Sequence, residues 1–456
     1  MMRLSELALA TNGKLMGDDI EISCVGSDSR AINKGQLFVA LKGENFDGHE
    51  YVTQSLAQGA SAVLVSKALD AMPAVKVEDT RLALGALAAY WRAKFYLPVV
   101  AITGSNGKTT VKEMLAAILR VAAGSDERVL ATQGNLNNDI GMPMTMLNLS
   151  EQHHYAVLEM GMNHTGELSY LTNLAKPNVA LVNNAGSAHI GELGSLEAIA
   201  NAKGEIFEGL VDDGIAIIND DDVFADLWKS LASKHQQMTF GLKAKADVTA
   251  KYALHAASSD MDLITPNGTV SFSIPAPGLH NVSNALAAAS AALAVDVSLE
   301  NIARGLINFV GVKGRLQTKQ GFAGAKVIDD TYNANPSSMK AAIDVLKASA
   351  FQRVFVMGDM AELGTDAASM HAEIGNYART AGIDIFLGLG ALTKNAVTTF
   401  GENGMHFDNV KDLAESLKSL MNAETTVLVK GSRAMRMERV VDAIQLAKTN
   451  NNGGNH

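Results

Sequence analysis

Residues Val99-Val-Ala-Ile-Thr-Gly-Ser-Asn-Gly-Lys-Thr-Thr110 constrain this chain more than any other stretch. An apolar, β-type run from Val99 to Ile102 ends in a glycine-rich turn, and the helix-like Val111-Lys-Glu-Met-Leu-Ala-Ala-Ile-Leu119 follows. A strand that feeds a helix through such a turn aims backbone N–H groups and a helix N-terminus at one point, which suits a polyphosphate. In that layout Gly104, Ser105, Asn106, Gly107 and Thr110 are the expected nucleotide-binding residues around the turn. Lys108 then reaches the outer phosphates and Thr109 is available to Mg²⁺. The general phosphate-loop pattern has a glycine where this chain has Ile102, so what remains is the shorter Gly104-x-x-Gly107-Lys108-Thr109.

The 456 residues suffice for about three domains. No apolar run approaches the ~18 residues of a membrane span, and Met1-Met-Arg-Leu-Ser-Glu-Leu lacks the basic-then-apolar layout of a signal peptide. The single cysteine, Cys24, excludes an internal disulfide and a cysteine-rich metal site, so a cytoplasmic protein is expected. A net charge of −10 argues against broad nucleic-acid binding while leaving room for anionic small ligands in local pockets.

Strands alternate with helical patterns on either side of a break. Ala156–Glu159, Val179–Asn183 and Gly214–Asn219 follow the phosphate-loop strand as short apolar runs ending in polar residues or glycine. Residues 245–275 interrupt this rhythm with short β-like pieces, and an Ala-rich helix over His280–Ala294 follows. After Gly311-Val-Lys-Gly-Arg315 the alternation restarts with Lys326–Asp329, Arg353–Met357, Ile383–Leu389 and Thr426–Lys430. An α/β fold with mostly parallel sheets is expected. The expected domains are a small α/β unit over residues 1–80, a central phosphate-loop unit over 81–312 and a C-terminal Rossmann-like unit over 313–448. A disordered tail over 449–456 completes the expectation.

Chemistry-bearing residues fall at the predicted strand ends, where open α/β sheets bind ligands. Glu159 closes one strand, as a Mg²⁺ carboxylate or as a solvent-facing acid. His189 stands on the next strand's loop, either structural or a metal or phosphate ligand. Lys203 lies in a helical pattern in which most lysines are simply solvated. Between Gln133 and Asp139 stand five amide- or carboxylate-bearing residues, including Asn135, Asn137 and Asn138. They suit a polar ligand, although asparagine also favours turns and caps. Arg315 sits at the entry to the last unit, and Asp329-Asp-Thr-Tyr-Asn-Ala-Asn-Pro336 closes that unit's first strand.

Taken in order, Thr103–Thr110, Gly134-Asn-x-Asn-Asn138, Glu159, His189, Lys203, His280-Asn281, Gly314-Arg315 and Asp330-x-x-Asn333 resemble the Mur ligases, the ATP-dependent amide-forming enzymes of peptidoglycan synthesis. This family uses the shorter glycine pattern, which accounts for Ile102. Asp28-Ser29-Arg30, Gly43-x-x-Phe46-Asp47-Gly48-His49, Asp329–Pro336 and Gly358-Asp-Met-Ala-Glu-Leu-Gly364 are similar to one branch in particular. That branch joins D-alanyl-D-alanine to UDP-N-acetylmuramoyl-tripeptide. The Asp-Asn-Pro-Arg motif of the diamino-acid-adding branch is absent.

The resemblance implies that ATP phosphorylates the peptide carboxylate and that the dipeptide amine attacks the resulting acyl phosphate. It assigns Asn281, Arg315, Asp330 and Asn333 to ATP. Ser29, Arg30, Phe46, Asp47, Gly48, His49, Asn135, Asn137 and Asn138 go to the UDP-linked substrate. Mg²⁺ falls to Thr109 and Glu159, and a second Mg²⁺ to His189 and Lys203, the latter carbamylated. The catalytic set is Lys108, Glu159, His189, Lys203 and Arg315, in a protein expected to be a monomer. Folylpolyglutamate synthase, a related ligase, fits less well because of the N-terminal unit and the Asn135–Asn138 segment. A GTPase switch would want an Asn-Lys-x-Asp reader, and the only Asn-Lys, Asn33-Lys34, precedes the phosphate loop.

Overall fold

The computed structural model describes residues 1–67, 73–186, 190–243 and 245–446. His189 and the segment 449–456 lie outside the described residues.

The phosphate-loop strand, Val99–Thr103, is a central strand of a six-stranded, all-parallel sheet. Across that sheet the order is Gln236–Phe240, Ile215–Asn219, Val179–Val182, Val99–Thr103, Tyr155–Glu159 and Val129–Ala131. Both faces are covered, so the strands read as continuous apolar runs. Alternate residues then serve opposite cores. Val100, Ile102, Val157 and Leu181 pack with Val111, Leu115 and Ile118 of the helix Lys108–Ala123. Val99, Ala101, Leu158 and Val182 pack on the other side with Leu168, Leu171 and Ile199. The Ala-rich helix, Leu279–Leu293, is buried along most of its length. Its small side chains let it lie close against the phosphate-loop helix.

After Val99–Thr103 the chain runs out to the edge strand Val129–Ala131, returns to Tyr155–Glu159, then crosses to Val179–Val182. The order therefore reverses beside the phosphate-loop strand, and such a switch point opens a crevice at the strand C-termini. Residues Thr249–Leu254, Ser259–Thr265 and Gly268–Ile274 form an antiparallel three-stranded sheet, the origin of the broken rhythm.

The last unit carries six strands where four were expected. Its order is Gln317–Gln320, Lys326–Asp330, Thr425–Lys430, Gln352–Gly358, Ile385–Leu389 and Gly404–Phe407. The two additions are the edges. Gln317–Gln320 is polar and half-exposed, and Gly404–Phe407 is short, so neither has the apolar run of an interior strand. The first unit holds a five-stranded sheet ordered Lys14–Met16, Ala74–Lys76, Ala62–Val65, Gln36–Val39 and Cys24–Gly26.

Candidate active site

The phosphate loop turns on Gly107, which has φ = 80° and N-caps the helix Lys108–Ala123. A side chain there would be strained, and its Cβ would strike the amides of Asn183 and Asn284. Those amides fix the loop from below. Asn183 Nδ2 donates to the Asn106 carbonyl at 2.9 Å and to Asn284 Oδ1 at 3.1 Å. Asn184 accepts from the Asn106 N–H through its side chain and from the Ser105 N–H through its carbonyl. Neither asparagine was singled out from sequence. Their position at a strand end in Asn183-Asn-Ala-Gly was the available signal.

Lys108 is not the exposed lysine that a helix start suggests. Its Nζ donates to the Gly104 carbonyl at 2.6 Å, folding the side chain back over its own loop. Burial lowers its pKa, Glu159 opposes that shift and Arg315 adds to it. Glu159, 2% exposed, ends its strand beside this group. One carboxylate oxygen accepts from Asn137 Nδ2 at 2.8 Å. The other is buried with no partner among the described residues. An unpaired buried carboxylate oxygen is costly, and a cation is the natural complement. Among the described residues no three His, Cys, Asp or Glu side chains converge on one point. A cation here would therefore draw on Glu159, Thr109 and nucleotide oxygens, a donor set that suits Mg²⁺.

Lys203 overturns the solvated-lysine reading of its helical pattern. It is 1% exposed and lines the same cleft. Burial pushes its pKa well below the ordinary lysine value, and the nearby Lys108 pushes the same way. A neutral amine in that position can react with CO₂, and the resulting carbamate would be an anionic oxygen donor.

The cleft, about 1410 Å³, lies between the central and last units. It exceeds the ~300–1,000 Å³ of a pocket for one small ligand, so it has room for more than one substrate. From the last unit, Arg315 donates to Thr109 Oγ1 at 3.3 Å while its guanidinium stacks 4.4 Å from the Tyr332 ring centroid. Asn333 lines the cleft too, and its carbonyl accepts from Lys430 Nζ at 2.9 Å. Tyr332, Lys319 and Lys430 are cleft residues that sequence reasoning missed. Their lysines are masked by ion pairs, to Asp329 at 2.7 Å and Asp330 at 2.6 Å.

Several expected ligands stand elsewhere. Asp330 does not line the cleft and is spent on Lys430 and the Leu316 N–H. Asn281 is buried at its helix start. Its Nδ2 donates to Pro277 O at 2.8 Å and its Oδ1 accepts from Asn284 at 3.3 Å, so it acts on the loop through Asn284. Thr110 is 8% exposed and faces inward. Asn135 and Asn137 line the cleft, as does Asn138, whose Oδ1 accepts from the Gly141 N–H at the next helix.

None of Ser29, Arg30, Phe46, Asp47, Gly48 or His49 reaches this cleft. Arg30 and Phe46 are exposed, with Arg30 held by Asp28, whose pKa falls to about 2 through that pairing. His49 has a partner on each ring nitrogen. Its Nδ1 meets Asp47 at 2.6 Å, and its Nε2 accepts from the Ser66 N–H at 2.9 Å. With Lys67 also on Asp47, this trio anchors the loop and leaves no ring nitrogen for a ligand.

Three family models cover the chain. Residues 21–92 match the Mur ligase family catalytic domain, 102–292 the Mur ligase middle domain, and 314–433 the Mur ligase glutamate ligase domain. The chain is 45% identical over 448 residues to the UDP-N-acetylmuramoyl-tripeptide--D-alanyl-D-alanine ligase of Escherichia coli (strain K12), covering 97% of this chain and 98% of that one. It superposes on a crystal structure of MurF from Acinetobacter baumannii with a TM-score of 0.91 at 40% identity, covering 96% and 97% of the two chains. A MurF ligase from Thermotoga maritima, solved in complex with ADP, matches at 0.82 and 27% identity over 92% and 96%. On full-length matches of this strength, the chain belongs to the Mur ligase family.

Proposed function

We propose that this protein joins D-alanyl-D-alanine to UDP-N-acetylmuramoyl-tripeptide, converting ATP to ADP and phosphate, in peptidoglycan precursor synthesis. The observation that carries this reading is the convergence of Lys108, the half-satisfied Glu159 and the buried Lys203 on one cleft beneath Arg315. Relatives carrying that activity's name align over nearly the whole chain.

A peptide carboxylate is a poor electrophile and repels ATP, so catalysis here is positioning and charge neutralisation. Lys108 would neutralise the β- and γ-phosphates, and Arg315 reaches the same loop from the other unit. The γ-phosphoryl group passes to the carboxylate oxygen, the amine attacks the acyl carbon, and phosphate leaves as the amide forms. Mg²⁺ held by Thr109 and Glu159, with carbamylated Lys203 and His189 at a second position, would supply further positive charge against the phosphate oxygens. Closure of the two units over bound substrates would exclude water from the acyl phosphate.

The proposed division of labour gives residues 1–80 to the UDP-linked substrate, 81–312 to ATP and 313–448 to the dipeptide and nucleotide. We place the protein in the cytoplasm as a monomer; no described helix is long and apolar enough to cross a membrane. The test is phosphate release from ATP with UDP-N-acetylmuramoyl-tripeptide, with and without D-alanyl-D-alanine. Stoichiometric release only when both are present is expected. Release driven equally by a folate or by no acceptor would overturn the assignment.

A further inference from the structure

Lys112 is fully buried, one of the two largest charged side chains enclosed by the fold, and nothing in the reaction outlined above uses it. It sits four residues beyond Lys108 on the phosphate-loop helix, hence on the same helix face one turn deeper. Val111, Met114 and Leu115 beside it on that helix are core, while Lys112 and Glu113 line the floor of the same cleft as Lys108 and Glu159. Burying an ammonium there costs several kcal/mol unless it is well paired.

The ammonium is committed to two partners. It meets the Glu113 carboxylate at 2.6 Å and donates to the Thr132 carbonyl at 2.7 Å. Thr132 in turn touches Glu159. Its hydroxyl accepts the Glu159 N–H at 3.0 Å, and its own N–H donates to the Val157 carbonyl of the same strand. Five residues on, Asn137 grips the Glu159 carboxylate at 2.8 Å, and its carbonyl takes the Gly161 N–H at 2.8 Å. The segment from Thr132 to Asn137 is thus a brace against Glu159, touching it at backbone and carboxylate. Lys112 pins the start of that brace to the helix that carries Lys108 and Thr109.

We infer that Lys112 is a positioning residue, which locks the Thr132–Asn137 segment to the phosphate-loop helix and thereby holds the free oxygen of Glu159 where it can ligate a divalent cation beside Thr109. One helix then sets both the phosphate contacts in its first turn and the cation carboxylate through its second. The inference rests on the reading of this cleft as a Mg²⁺–nucleotide site, but it requires no ligation chemistry.

The experiment therefore measures metal binding without turnover. Mn²⁺ affinity of the full-length protein's ADP complex is read by electron paramagnetic resonance, and ADP affinity is measured separately in EDTA. Lys112→Met removes the charge and the donor and leaves an unbranched apolar side chain one atom shorter. It is expected to weaken Mn²⁺ binding about tenfold while leaving ADP affinity in EDTA within about twofold. Thr132→Val, which deletes only the hydroxyl acceptor, is expected to show the same split. The double variant should be little worse than either single one, because both cut one chain of contacts. Should Lys112→Met fail to fold, Lys112→Leu, which equally lacks the donor, decides in its place. Unchanged Mn²⁺ affinity in the folded variants overturns the inference, as does a parallel loss of ADP and Mn²⁺, which would mark a merely structural lysine. Loss of ligase activity without any change in Mn²⁺ affinity would also overturn it. Absence of ligase activity in the unmodified protein would instead count against the functional reading alone.

Discussion

The side-chain amide of Asn335 donates to Oδ1 of Asn106 at 2.8 Å, joining two residues 229 positions apart in the chain. Asn106 also donates to Ser337 Oγ at 2.8 Å. Asn335 is meanwhile the N-cap of the helix Pro336–Lys347, with a reciprocal bond to Ser338. One residue thus finishes a helix in the last unit and grips the phosphate loop of the central unit.

Asn335→Ser separates these roles. Serine caps a helix well but is too short to reach Asn106. The thermal midpoint should stay near that of the parent protein, while the KM for ATP rises about two- to twelve-fold, as for one lost hydrogen bond of about 0.5–1.5 kcal/mol. Solution scattering should show less compaction on adding an ATP analogue with the UDP-linked substrate. An unchanged KM would show that the contact does not serve nucleotide binding.

Lys108→Ala should abolish ligation, leaving about a few per cent of turnover or less, because the charge facing the developing phosphate oxygens is gone. The fold should survive, since Lys108 bonds only to the Gly104 carbonyl of its own loop. Substantial residual turnover would mean that this loop is not the phosphate site.

Lys203→Ala should be nearly inactive, and short-chain carboxylic acids should restore part of the rate by occupying the vacated volume with a negative charge. Lys203→Arg should resist rescue, because its permanent cation opposes a metal. Normal activity of Lys203→Ala without added acid would exclude the carbamate role.

The depressed pKa of Lys203 also carries a stability signature in CO₂-free, metal-free buffer. The unfolded chain holds this proton up to about pH 10.4, while the folded protein releases it lower because of burial and Lys108. Between the two values the unfolded state binds more protons, so stability rises with pH through that window. Lys203→Met should therefore be more stable than the parent at neutral pH, with the gap closing toward pH 10. Denaturant midpoints across pH measure this, and a gap independent of pH would contradict it.

Arg30 and His49 should part company. Arg30 is exposed and anchored by Asp28, so Arg30→Ala should raise the KM for the UDP-linked substrate and spare that for ATP. His49→Ala leaves the Ser66 N–H without its acceptor and removes one of Asp47's partners, and should destabilise the protein by about 1–3 kcal/mol. Equal effects of Arg30→Ala on both substrates would count against a UDP pocket in the first unit.

Sequence alone determined what depends on local pattern. The strand–turn–helix at Val99–Ala123 follows from an apolar run, two glycines and a helix-forming stretch. The parallel sheets follow from regular alternation, and the order of motifs was enough to point to the Mur ligases. What lay beyond it depended on long-range burial. Lys112 and Lys203 look like helix-surface lysines because helical periodicity does not say which neighbour covers a face. Only the packed neighbours show that both are enclosed. His49 and Asn281 look like ligands because they are polar residues within matching motifs. Their hydrogen-bonding capacity proves to be spent on Ser66, Asp47, Pro277 and Asn284. The polar edge strand Gln317–Gln320 is made by pairing with Lys326–Asp330, and its own residues do not announce it. Charge, burial and partner choice are properties of the assembled chain, because each is set by residues far away in sequence.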